Sequence, residues 1–118
     1  MIYALHEGLR LILEEGLEAR WERHRCNHEL LKAQLPALGM GLLPKAEYSL
    51  WSLNAVTLPQ GVDDLAARKR MLTRYGLEIG GGLGELKGKI WRVGLMGHSS
   101  TERNVALFAA AAGEVLRG

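Results

Sequence analysis

The sequence lacks the features of several large protein classes. Cys26 is its only cysteine, so an internal disulfide is excluded and a reducing compartment is favoured. No apolar run is long enough to cross a membrane, and Met1–Glu7 lacks the basic start of a secretory signal. The formal net charge is only +2, and the densest basic run, within Ala67–Met71, predicts a solvated helix face. These absences predict a cytoplasmic protein that binds neither nucleic acid nor membranes.

The glycine-rich segment Gly80–Gly84 lacks the patterns of nucleotide-binding loops. A Walker loop ending in Gly88 and Lys89 would require a serine or threonine next, but Ile90 follows. A dinucleotide fingerprint would lead into a helix, whereas a β-prone run follows here. The segment is therefore predicted to connect two strands.

Other polar clusters also fall short of a catalytic or metal site. His98 precedes Ser99–Ser100, but sequence neighbours rarely form a nucleophile–base pair, and the serines are explained by helix capping. His24 and His28 share one face of a predicted helix, while Cys26 points away from them. The histidines are therefore interpreted as a surface pair, and no metal site is predicted.

Length and composition predict one domain comprising residues 1–118, of which 47% are hydrophobic. Hydrophobic periodicity and turn residues predict an α+β fold, with one small sheet and helices packed on one side of it. The predicted elements are a helical segment Tyr3–Leu35 interrupted at Gly16, strands Met40–Leu43 and Leu50–Leu58, a helix capped by Asp63 or Asp64 and ending before Gly76, strands Leu77–Ile79 and Lys89–Val93, and a last helix beginning with the capping box Ser99–Glu102.

Apolar stripes predict which side chains each helix buries. The predicted stripes are Leu5, Leu9, Ile12 and Leu13; Leu30, Leu31 and Leu35; Leu65, Met71 and Leu72; and Val105, Phe108, Ala112 and Val115.

No capping residue precedes the first helix, so we expect further chain upstream of Met1.

Arg92 is a single cation inside an otherwise apolar strand, and such a group requires a partner. Its planar fork of donors suits a carboxylate or a phosphate. The residues alone leave two interpretations open, an internal salt bridge or a ligand contact. The neighbouring Trp91 should face the opposite side of the strand. Trp21, Trp51 and Trp91 are interpreted as core or interface residues.

The segment Ile79–Gly97 resembles the C-terminal part of class V aminotransferases, close to the alanine–glyoxylate and serine–pyruvate enzymes. Those enzymes use pyridoxal phosphate (PLP). The resemblance covers nearly the whole chain. Further matching segments are Tyr3–Leu9, Glu14–Trp21 and Thr101–Val105.

The resemblance implies the C-terminal small domain of a fold-type I PLP enzyme. Arg92 matches the arginine that holds the substrate α-carboxylate, and the loop of Gly81, Gly82, Leu83 and Gly84 would border the active-site mouth. The parent enzyme would transfer an amino group from alanine or serine to glyoxylate or pyruvate.

The resemblance also limits what this chain supplies. The Schiff-base lysine, the other PLP contacts and a large domain would lie upstream, so this chain would hold no catalytic residue and bind no cofactor by itself. A homodimer is expected. The family often carries a Pro-Thr-Val run where this sequence has Trp51–Leu53, which leaves the substrate preference open. The alternative function is a free-standing α+β interaction or dimerisation module without catalysis.

Overall fold

Two helices joined at a glycine form the first third of the chain. The computed structural model describes all 118 residues. Helix α1 (Ile2–Glu15) and helix α2 (Leu17–Gln34) are separated by Gly16, whose φ of 85° interrupts the helical path. Glycine adopts this left-handed conformation at little cost, so the predicted break at Gly16 is confirmed. No helix in the chain combines the length and the apolar content that crossing a bilayer would require.

A four-stranded antiparallel sheet forms the second layer. Its strands are β1 (Gly41–Leu42), β2 (Leu53–Thr57), β3 (Gly80–Gly81) and β4 (Ile90–Gly94), arranged in the order β1-β2-β4-β3. The two remaining helices are α3 (Asp64–Tyr75) and α4 (Glu102–Leu116). The predicted α+β class with one small sheet is confirmed.

Helices α2, α3 and α4 pack on one face of the sheet, as predicted. Val56 lies opposite Trp91 in the β2–β4 ladder, and both side chains are fully buried against the helices. Trp91 meets Phe108 of α4 edge to face, with ring centroids 6.4 Å apart. Burial of each such large side chain stabilises the fold by about 1.5–3 kcal/mol. The α4 stripe is confirmed, because all of its members are buried: Val105, Phe108, Ala112 and Val115.

Two predicted strands have different limits in the structure. Leu77–Ile79 is not a strand; pairing with β4 is made by Gly80–Gly81 instead. The side chains of Leu77 and Ile79 pack against the core from an irregular segment, which explains their apolar character. Strand β2 begins at Leu53, because the preceding residues bend away from the sheet.

The helix caps confirm one prediction and correct another. Gly76 ends α3 with a φ of 65°, as expected for a glycine after a helix, and Asp63 caps its start. Helix α4 is capped by Thr101, whose hydroxyl accepts a hydrogen bond from the Asn104 amide at 3.1 Å. The predicted box beginning at Ser99 is therefore wrong, since Ser99 lies in a preceding 3₁₀ turn.

Several predicted inward residues are exposed. Leu65 and Leu72 lie on the surface of α3, whereas Met71 is buried as predicted, together with Asp64 and Ala67. These three positions form a face on which the small side chain of Ala67 allows close packing. Helix α1 buries no residue at all, and it packs mainly against α2. Its apolar stripe is consequently solvent-exposed at Leu5, Leu9 and Leu13, and Leu30 of α2 is also exposed.

Candidate functional site

The face of the sheet opposite the helices contains an apolar concavity of about 330 Å³. The alternation of side chains along β2 and β4 turns Leu53, Ala55, Ile90 and Arg92 towards this face. Arg92 is the only charged residue in its lining. The remaining lining residues are Pro44, Tyr48, Leu50, Leu83 and Leu86.

Arg92 lies exposed at the edge of this concavity. Its Nε–H donates a hydrogen bond to the Gly81 carbonyl at 2.8 Å, and none of the ion pairs in the structure involves it. Its two terminal nitrogens donate to no protein acceptor. The internal salt bridge that the sequence left open is therefore absent, and the terminal donors remain available for a bidentate contact.

The loop of Gly81, Gly82, Leu83 and Gly84 connects β3 to a 3₁₀ turn (Gly84–Leu86) beside the concavity. Gly82 is buried, and a Cβ atom there would lie 2.0 Å from the Leu86 carbonyl oxygen. Leu83 is 68% exposed and forms part of the concavity wall. Close backbone approach at Gly82 therefore makes this a tight connection between two strands.

A polar network behind the sheet was missed by the sequence analysis. Asp64 is only 8% exposed, and its carboxylate accepts hydrogen bonds from Arg68 Nε at 2.7 Å and from Trp91 Nε1 at 2.9 Å. The Arg68 guanidinium lowers the pKa of Asp64, burial opposes this effect, and the Trp91 hydrogen bond lowers the pKa further. The interpretation of Arg68 as part of a solvated face is thus wrong. The i,i+4 spacing of Asp64 and Arg68 was the available indication.

The histidines of α2 are structural groups and not the predicted surface pair. His28 is buried, and its Nδ1 lies 2.7 Å from Asn54 Oδ1 in β2. His24 Nδ1 lies 2.7 Å from the Arg20 carbonyl, and its Nε2 accepts a hydrogen bond from the Gly97 amide at 2.9 Å. The face of α2 that carries them packs against the sheet and the loop after β4. No cluster of three or more metal-ligating side chains exists in the chain.

The three tryptophans divide between core and surface. Trp91 is fully buried, whereas Trp21 is 54% and Trp51 42% exposed. Trp21 and Trp51 line a second hollow, of about 420 Å³, beside the junction of α1 and α2. Leu50 borders both hollows, so the segment before β2 contributes apolar surface on two sides.

Comparisons with known proteins identify long enzymes that contain a segment like this chain. No protein-family model matches it. It is 42% identical over 116 residues to the (S)-ureidoglycine–glyoxylate transaminase of Bacillus subtilis and 40% identical over 117 residues to the alanine–glyoxylate aminotransferase of Callithrix jacchus. Each match covers 98% of this chain and 28% of the relative. The crystal structure of an alanine–glyoxylate aminotransferase from Nostoc sp. matches with a TM-score of 0.94 and 48% identity, over 98% of this chain and 30% of that one.

The matches extend far beyond the glycine-rich loop, because they include nearly every residue of the chain and every element of its fold. The chain spans less than a third of the length of these relatives. The resemblance on which the sequence interpretation depended is confirmed. The chain belongs to the class V aminotransferases of the alanine–glyoxylate group, of which it corresponds to a C-terminal fragment.

Proposed function

We propose that this chain binds the carboxylate of an amino acid or a 2-oxo acid within a larger aminotransferase. The observation that carries the proposal is the geometry of Arg92. Its guanidinium lies exposed beside an apolar concavity, with its terminal donors unused and no carboxylate of the chain nearby. A substrate carboxylate is the partner that this arrangement accommodates.

Bidentate binding fixes both the position and the direction of a substrate. Two parallel N–H···O bonds from Arg92 hold the plane of a carboxylate, so the Cα atom of the bound amino acid has a restricted orientation. The adjacent apolar walls of Leu53, Leu83 and Ile90 can accept a small apolar substituent. Within this chain the concavity offers one cation, which matches a single substrate carboxylate. Alanine or serine as donor, and glyoxylate or pyruvate as acceptor, satisfy these conditions.

We propose that PLP is held mainly by residues outside this chain. All of its lysines are exposed, and none lines the concavity around Arg92. We therefore assign the amine that anchors PLP in such enzymes to residues outside this chain. The relatives are more than three times as long as this chain, and we assign the cofactor contacts to a large domain that precedes the small one. PLP supplies the electron sink for transamination when it is bound there.

The free-standing interaction module remains the second candidate. The exposed apolar residues of α1 favour contact with another protein surface. The same exposure is expected if α1 packs against a large domain or a second subunit of a homodimeric enzyme. Because the relatives are transaminases by name, the module interpretation is not favoured.

The proposal is tested by joining this chain to the large domain of the Nostoc relative. We expect the purified hybrid to transfer the amino group of alanine or serine to glyoxylate or pyruvate when PLP is supplied. A hybrid with the relative's own small domain provides the reference activity. A folded, PLP-loaded hybrid without turnover on any of these pairs would reject the proposed function.

A further inference from the structure

We infer that Asp64 and Arg68 are positioning residues for Arg92, acting through the glycine strand β3 between them. Their relevance to catalysis rests on the proposed carboxylate-binding role of Arg92. The contact chain itself runs from the helix side of the sheet to its open side, through Arg68, Gly81 and Arg92.

On the open side, Arg92 lies along β3. Gly80 is its partner in the β3–β4 register, and a Cβ atom on Gly80 would lie 3.4 Å from Arg92 Nη2. The Gly81 carbonyl then accepts the Arg92 Nε–H at 2.8 Å. The absence of side chains on β3 lets the Arg92 side chain lie against the strand, and the Gly81 carbonyl sets the direction of its guanidinium.

On the helix side, Arg68 occupies the space that a side chain of Gly81 would fill. A Cβ atom on Gly81 would lie 3.0 Å from Arg68 Nη2 and 3.1 Å from Arg68 Cζ. The planar guanidinium therefore packs against the Gly81 backbone. Two guanidinium groups, Arg68 behind and Arg92 in front, thus enclose this two-residue strand.

Asp64 holds the two groups that flank β3, which are the Arg68 side chain and strand β4. Its carboxylate holds Arg68 through two hydrogen bonds, from Nε at 2.7 Å and from Nη2 at 3.2 Å. The same carboxylate accepts the indole N–H of Trp91, which precedes Arg92 and lies opposite Gly81 in the register. The buried Asp64 carboxylate consequently fixes strand β4 relative to Arg68, the side chain that packs against β3.

The support matters because β3 has little stability of its own. It is an edge strand of two glycines, which lose much conformational entropy on ordering and offer no side chain for packing. Without Arg68 behind it, the Gly81 carbonyl should sample several positions. Arg92 would then lose the acceptor that orients it.

Proton exchange at Arg92 Nε–H in the 118-residue chain tests this inference by NMR. The signal is assigned by its disappearance in Arg92→Lys. We expect Asp64→Asn and Arg68→Gln to accelerate its exchange roughly tenfold or more, the effect of losing one hydrogen bond made by a charged group. Arg68→Lys should accelerate it too, because an ammonium lacks the plane that packs on Gly81. The matched control is Arg70→Gln on the same helix, where the arginine makes no hydrogen bond or ion pair, and exchange at Arg92 should be unchanged.

Folded Asp64→Asn and Arg68→Gln variants with wild-type exchange at Arg92 would overturn the inference. Unfolding of both Arg68→Gln and Arg68→Lys would also overturn it, since Arg68 would then act on the whole fold. The readout does not depend on catalysis. An inactive hybrid enzyme would reject the proposed function and leave this exchange test valid.

Discussion

Arg92 and Gly81 are joined by a single hydrogen bond of 2.8 Å from the arginine Nε–H to the glycine carbonyl. The bond uses the Nε–H, which a bidentate carboxylate contact through the two terminal nitrogens does not need. The side chain is therefore oriented by the protein while its ligand-binding edge stays free. This arrangement reduces the entropy that an arginine loses when it binds an anion.

Gly82 should be indispensable for the fold of the loop. A Cβ atom at this position would approach the Leu86 carbonyl oxygen to 2.0 Å, so the Gly82→Ala variant must shift backbone. We expect a loss of at least about 2 kcal/mol in the free energy of unfolding, measured by urea denaturation. Gly8→Ala is the control, because no atom lies within 4 Å of its added Cβ and alanine should stabilise α1 by about 0.5–1 kcal/mol. Equal stability of Gly82→Ala and the wild type would refute the close approach.

Asp64 should make the free energy of unfolding depend on pH in the acidic range. Because Arg68 holds the pKa of Asp64 below its ordinary value, the stabilisation is present above the unfolded-state pKa and is lost as pH falls through the folded-state pKa. The free energy of unfolding of the wild type should therefore decrease below about pH 4, and that of Asp64→Asn should decrease less. Urea titrations at several pH values measure the difference, with the exposed Glu85→Gln as control. An Asp64→Asn variant with the full wild-type acid dependence would contradict this account.

The chain by itself should self-associate through α1. Ile2 is 82%, Tyr3 90% and Leu13 83% exposed, so one helix presents a continuous apolar surface. We expect light scattering to detect a dimer that the double variant Leu5→Gln, Leu9→Gln weakens. Leu65→Gln is the control, because it removes an exposed leucine from a different helix. A monomeric wild type at high concentration would argue against this interface.

The chain by itself should not catalyse transamination. Its lysines are all exposed and lie outside the lining of the Arg92 concavity, so no amine is placed to anchor PLP and transfer protons there. An assay with alanine, glyoxylate and added PLP should show no turnover above the rate of free PLP. Turnover of ordinary enzymatic magnitude would mean that the chain holds a complete active site.

Sequence patterns predicted those parts of the fold that depend on neighbouring residues. The break at Gly16, the glycine after α3 and the buried stripe of α4 all follow from local chemistry, and all are confirmed. The sequence marked α1 as an uncapped apolar helix, and its residues are exposed, but an apolar stripe does not indicate which surface covers it. Thr101 replaced Ser99 as the cap because the chain makes an additional 3₁₀ turn first.

Arg92 could be singled out from the sequence, while its surroundings could not. A cation in an apolar strand is conspicuous in the sequence. Its acceptor on Gly81 and the support from Asp64 and Arg68 depend on contacts between distant segments. Such contacts become visible only when the register of β3 and β4 is known.

Arg92→Lys in the hybrid enzyme tests the central claim most directly. Lysine keeps the charge but cannot form the two-point contact, so substrate binding should weaken by on the order of 2 kcal/mol, about thirtyfold in kcat/KM for alanine. PLP binding, followed by its absorbance, should remain nearly unchanged, and Arg70→Lys should retain the activity of the parent hybrid. Wild-type kcat/KM in Arg92→Lys would contradict the account, because Arg92 would then not hold the substrate carboxylate.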